Sequence, residues 1–195
     1  MTNRINSITA NISSQNTDQL KAALAEVSTL SDLSSEEKQE LAAAISTTFY
    51  RDPSGDEELS QLIDQSESIL ASLGAEVAEW MIEQLVEADA ESAEHFAGAL
   101  GHIGAPAVDL LLSWFDTSRG DDYSQINLLL AAGHFTDPAI ARVLPEALRS
   151  AGSTNKQVKS AAFYCMGRIF NRIPPETISD TDRSTLFDTL FVGLS

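Results

Sequence analysis

Gly101-His102-Ile103-x-x-Pro106-Ala107-Val108 returns 32 residues later as Gly133-His134-Phe135-x-x-Pro138-Ala139-Ile140. Each copy closes one apolar helical stretch and opens another. Self-similarity at this period predicts stacked helical pairs, because one pair alone cannot bury its apolar face. The prolines have a mechanism. At the first turn of a helix the missing amide costs nothing and the fixed φ suits the helix. A glycine near the end of the preceding helix lets a neighbour approach closely, against a helix-propensity cost of about 1 kcal/mol. Gly101, Pro106, Gly133 and Pro138 are therefore expected to be structural repeat positions. Gly167, 34 residues after Gly133, is expected in the same role.

Apolar residues at three- and four-residue spacing extend the pattern. They predict helical pairs at 58–73 with 76–88, 93–103 with 106–115, 124–135 with 138–150, and 156–170 with 182–194. Ahead of these lie two helices without the motif. One carries Leu20, Leu24, Val27 and Leu30, with Thr17 or Asp18 as its cap. The other begins at Ser34, which with Glu37 fits a capping box. It should stop near Arg51-Asp52-Pro53-Ser54-Gly55, since Pro and Gly both break helices. The organisation expected is a loosely ordered, polar N-terminus over 1–16, a leading helical pair over 17–57 and repeats over 58–195. No alternating apolar–polar run is long enough to suggest a sheet.

The charge is unusual. The net is −17, and residues 1–100 carry 4 Lys/Arg against 19 Asp/Glu. Between Arg51 and Arg119 there is no basic residue and there are fifteen acids. A field of this sign repels phosphate backbones and anionic lipid, and attracts basic proteins. It also serves solubility. Neither a nucleic-acid nor a membrane partner is expected. Lys156, Lys159, Arg168 and Arg172 make only a mild basic patch. The apolar runs, such as Leu128 to Ala132, are too short to cross a bilayer. The first residues lack the apolar core of a secretory signal. Cys165 is the single cysteine, so an internal disulfide and a cysteine-tetrad zinc site are excluded. Cytoplasmic residence is the expectation.

The stretch Ala99-Leu100-Gly101-His102-Ile103-Gly104-Ala105-Pro106-Ala107-Val108-Asp109-Leu110-Leu111 resembles the consensus of HEAT repeats, particularly the bacterial HEAT-like type also found in phycobilisome lyases. The resemblance covers about residues 59–195 and is strongest at 93–148. It implies an all-α, right-handed α-solenoid of about four HEAT-like helical pairs preceded by a non-repeat helical lead. The family resembled includes scaffolds, transport adaptors, bilin-handling subunits and a few enzymes; the function expected is non-enzymatic protein–protein binding, as an adaptor, inhibitor or assembly factor, with a bilin lyase-like subunit as the alternative. Fold alone does not choose between them.

Catalytic signatures are weak. HEAT-like enzymes of the deoxyhypusine hydroxylase type hold iron through His-Glu dipeptides, and this chain has only the reverse, Glu94-His95. His102 and His134 occupy equivalent repeat positions, where a histidine is expected at the ridge between helices. No Gly-x-Ser-x-Gly elbow is present. Cys165 sits among Ala161, Ala162, Phe163 and Met166, a setting for a buried structural thiol. Arg119-Gly120-Asp121 reads as a turn between helices. No enzyme activity, metal or cofactor is expected.

The surface that draws a binding reading is the second helix of the first pair. Glu76, Glu79, Glu83 and Glu87 are spaced three, four and four, which puts them on one stripe, beside Trp80. Asp109 is the repeat equivalent of Glu79, and Trp114 lies further along the next second helix. In the family resembled, second helices line the concave face. An acidic concave surface with Trp80 and Trp114 would take a basic or amphipathic protein segment. Both tryptophans also fit a core role between repeats. At the C-terminus, Leu186, Phe187, Leu190, Phe191 and Leu194 exceed what one side of a terminal helix needs. They predict a following repeat or, preferably, an interface with a second copy or a partner.

Overall fold

The computed structural model describes residues 2–193, with side chains for all but Thr2, Pro175, Asp182, Leu186 and residues 190–193. Among the described residues the chain is all-α, with eleven α-helices, short 3-10 turns and no strand. It divides into two compact units, one ending at Trp80 and the other beginning at Met81.

The first unit opens with α1 (Thr2–Ile12). This corrects the expectation of a loosely ordered N-terminus. The segment is polar in composition, but Ile5, Ile8 and Ile12 recur at three- and four-residue spacing and are fully buried. Each contributes about 1.5–3 kcal/mol by leaving water, enough to hold a polar helix against the body. The helix packs on α2 (Thr17–Val27) and α3 (Ser35–Ser46). The cap of α2 is Asn16, whose side chain accepts from the Gln19 amide at 3.0 Å; neither Thr17 nor Asp18 plays that part. The Ser34–Glu37 capping box forms in both directions. The helix α4 (Glu57–Ser72), expected to open the repeats, packs against α2 and α3 within this unit.

Arg51 ties the unit together. Its Nη2 donates to the carbonyls of Ile12, at 2.5 Å, and Ser14, at 2.7 Å, which are free because α1 ends there. Partial burial pulls the guanidinium pKa down. Arg51→Met keeps the stem but leaves both carbonyls without their donor. It is expected to cost about 1.5–3 kcal/mol in urea unfolding. A wild-type midpoint would show that water replaces the guanidinium at no cost.

The helix α5 (Ala78–Glu87) comes after a 3-10 turn at Ala75–Val77. Val77, Ala78, Met81, Ile82 and Leu85 are buried, so the helix is amphipathic with a wide apolar side. In the second unit, α6 (Ala90–Ile103), α8 (Asp122–Ala132) and α10 (Lys156–Arg172) pack in that order, α8 touching both others. The helix α7 (Ala105–Thr117) meets the 3-10 segment Pro138–Val143, and α9 (Leu144–Ala151) meets α10 and α11 (Asp180–Gly193).

The starts of α6 and α8 repeat one device. Asp89 accepts from the Ser92 amide and hydroxyl, and Asp121 accepts from the Ser124 hydroxyl and the Tyr123 amide. Both carboxyls are held below their ordinary range, Asp89 first by the Ser92 amide and Asp121 first by the Ser124 hydroxyl. Asn155 caps α10 in the same place.

The continuous helix expected over 138–150 is interrupted. Residues Pro138–Val143 are 3-10 and only Leu144–Ala151 is α. Pro145 is the physical reason. It has no amide for the Ala141 carbonyl, and its ring clashes with an α-helical turn before it. Placed at the start of α9, it is tolerated.

At the C-terminus, Phe187 is exposed and meets Phe170 edge-on, with ring centroids 5.9 Å apart. The other residues of the expected apolar interface, Leu186, Leu190, Phe191 and Leu194, lie outside the described side chains.

Candidate functional site

The carboxylates of the α5 stripe are all exposed, because the helix buries the opposite side. Glu76, in the preceding turn, is ion-paired with Lys38 of α3. Glu79, Glu83 and Glu87 have no ion-pair partner among the described residues. Asp109 is exposed and pairs with Arg142 at 2.5 Å, so its charge is compensated. Exposed pairs of this kind contribute little to stability, about 0–1 kcal/mol. Trp80 and Trp114 are both half-buried.

The repeat glycines sit in different surroundings. A Cβ on Gly101 would lie 2.9 Å from the His134 carbonyl oxygen and 3.1 Å from its carbon. A Cβ on Gly133 would lie 2.9 Å from Cε1 of Tyr164 and 3.4 Å from Cγ of Arg168. A Cβ on Gly167 would meet no described atom within 4 Å beyond its chain neighbours and its own helix backbone, so it makes no close approach to another helix. Pro106 falls in the first turn of α7, after Gly104 at φ 77°. Pro138 opens the 3-10 segment, where the Asp137 side chain accepts from the Ala139 amide.

Where Gly101 and Gly133 draw helices together, a groove opens on the row α6, α8, α10. It encloses about 130 Å³. Ala90, Ala93 and Ala97 of α6 form one side, since positions i, i+3 and i+7 share a helix face. Leu130 of α8 and Tyr164 of α10 form the other, and Glu94 and His134 supply the polar groups. Tyr164 is 41% exposed. Arg168 lies 5.7 Å from the centroid of its ring. Arg168 and Arg172 also donate to the Gly133 carbonyl, at 3.3 and 3.0 Å, and Arg172 to that of His134 at 2.9 Å. They cap the end of α8, whose last carbonyls lack helical partners.

Sequence reasoning missed this groove. His134 was legible as a repeat position, but Leu130 and Tyr164 look like ordinary members of apolar faces. The available signal was the alanine spacing 90, 93, 97 beside an acid at 94. His102 is exposed in the last turn of α6, while His134 is half-buried.

Cys165 is buried, and loss of water contact pushes its thiol up to about 12. The thiolate is the nucleophile, so this group is inert at neutral pH. Mixing the folded protein with a disulfide reagent should release no thiol signal until denaturant is added. Rapid reaction of the native protein would mean that α10 opens readily.

No helix among the described residues is long and apolar enough to cross a membrane. Compared with protein-family models, curated proteins and solved structures, the chain matches none.

Proposed function

We propose that this chain is a non-enzymatic protein-binding module of the stacked-helical-pair kind, and that it takes a basic, amphipathic protein segment. The observation that carries the reading is the row Glu79, Glu83 and Glu87, exposed on one helix and without countercharge among the described residues. Uncompensated like charges repel one another, and an oppositely charged partner relieves that repulsion. The stacked arrangement is supported by α6 on α8 and α8 on α10, and by the 32-residue recurrence of the Asp89–Ser92 and Asp121–Ser124 caps. A HEAT-like array presents surface rather than a reaction centre.

The test is fluorescence anisotropy with two labelled helical peptides, one of leucine and lysine and one of leucine and glutamate at the same positions. The chain is expected to bind the first, with affinity falling as salt rises, because exposed charges are screened beyond about 8 Å at physiological ionic strength. The triple variant Glu79→Gln, Glu83→Gln, Glu87→Gln should weaken that binding and leave the melting temperature unchanged or slightly raised, since it removes like-charge repulsion along the helix. Equal affinity for both peptides, or none for either, would remove the reading.

A further inference from the structure

We infer that the groove on α6, α8 and α10 is the anchor point for the partner: it seats an apolar side chain of an amphipathic segment and fixes a neighbouring lysine or arginine on Glu94. This rests on the proposed binding of a basic partner, and adds where and how that partner is held.

The size of the groove sets the occupant. At about 130 Å³ it is well below the roughly 300–1,000 Å³ of sites for drug-sized ligands. It suits one large side chain. Ala90 is the exposed alanine of the α6 side, with Ala93 and Ala97 buried beneath it, and Leu130 with the exposed Tyr164 gives that side chain apolar walls.

The two rims differ in charge. On the α6 side Glu94 lines the groove, is exposed and has no ion-pair partner among the described residues. On the α10 rim Arg168 is already engaged, with its guanidinium over Tyr164 and its Nε on the Gly133 carbonyl. The uncommitted charge at the edge of the groove is therefore negative. A lysine or arginine can lay its alkyl stem along Ala90 and bring its head to Glu94, the usual way such side chains cover apolar surface. An acidic segment would meet Glu94 with the wrong sign. The position of Glu94 also sets direction: the basic side of the segment lies over α6.

The leucine–lysine peptide serves as probe, with anisotropy for affinity and NMR of the alanine methyl groups for location. Adding it should shift the Ala90, Ala93 and Ala97 methyl signals. Leu130→Ser should weaken binding by about tenfold through lost apolar contact. Glu94→Gln should weaken it about threefold and lower its salt dependence, as for an exposed ion pair. Glu94→Lys, at an exposed position that leaves the fold intact, should weaken it further. If the peptide binds but these variants match wild type while the α5 triple variant is impaired, the groove inference is overturned and the binding reading stands. If wild type does not bind the peptide at all, both fall. Sedimentation supplies the remaining outcome: a dimer that Glu94→Lys dissociates without peptide would make a second copy the occupant and overturn the assignment to a basic partner.

Discussion

Asn127→Asp is expected to destabilise the second unit by about 3 kcal/mol at neutral pH, and the loss should shrink as the solution is acidified. Asn127 is buried on α8, and its Nδ2 donates to the carbonyls of Leu85, at 2.9 Å, and Ala88, at 3.2 Å. These carbonyls belong to the end of α5, where helical partners run out. Tyr123 also donates to the Ala88 carbonyl at 2.5 Å, so Leu85 depends most on Asn127. Aspartate has the same shape but only accepts when ionised, and it would face two acceptors. Its pKa should therefore be raised in the folded state, because the protonated form can donate one bond. The folded variant then binds a proton more tightly than the unfolded chain does. Stability is fully present below the unfolded value, about 3.9, and is lost as pH rises through the folded value. Asn127→Leu lacks any titration and should lose about 2 kcal/mol at every pH. Urea midpoints for the two variants between about pH 4 and 7 make the comparison. Parallel curves would show that Nδ2 does not carry the contact.

The glycines should rank by what stands beside them. Gly101→Leu is expected to cost about 3 kcal/mol or more, because the added carbon meets the His134 backbone at 2.9 Å and backbone cannot turn aside. Gly133→Leu should cost less, about 1–2 kcal/mol, since its nearest neighbour is the Tyr164 ring, which is partly in solvent and can swing. Gly167→Ala should be neutral or stabilise by up to about 1 kcal/mol, the helix-propensity gain with nothing to strike. The order of thermal midpoints is the measurement. Equal losses at Gly101 and Gly167 would contradict the close approach at the first.

Gly133 and Gly167 also show how local pattern and packing separate. They occupy corresponding positions in the pattern, yet only Gly133 has another helix against it. Tyr164 and Arg168 of α10 come down on Gly133, whereas no described side chain comes down on Gly167. A sequence reports that a backbone is bare, and packing decides whether anything uses the space.

The same division runs through the candidate site. The α5 stripe was legible because helix geometry alone puts Glu79, Glu83 and Glu87 on one side. That Glu76 and Asp109 are neutralised by Lys38 and Arg142 was not, since those partners are 38 and 33 residues away. The groove was illegible for a similar reason: its walls come from three helices, and each wall residue by itself fits an ordinary apolar face.

By itself, the sequence determined the all-α class, the Ser34–Glu37 cap, the buried side of α5 and the 32-residue recurrence. These arise from interactions within a few residues, where spacing fixes geometry. Tertiary structure decided the order of the N-terminal helix, the break before Leu144, the grip of Asn127 on the end of α5 and the opening beside Tyr164. The first two had local signals, the isoleucine spacing and Pro145, that composition outweighed or left unread. The last two depend on which distant backbone groups come together, and that is set by burial of the whole apolar surface rather than by any one segment.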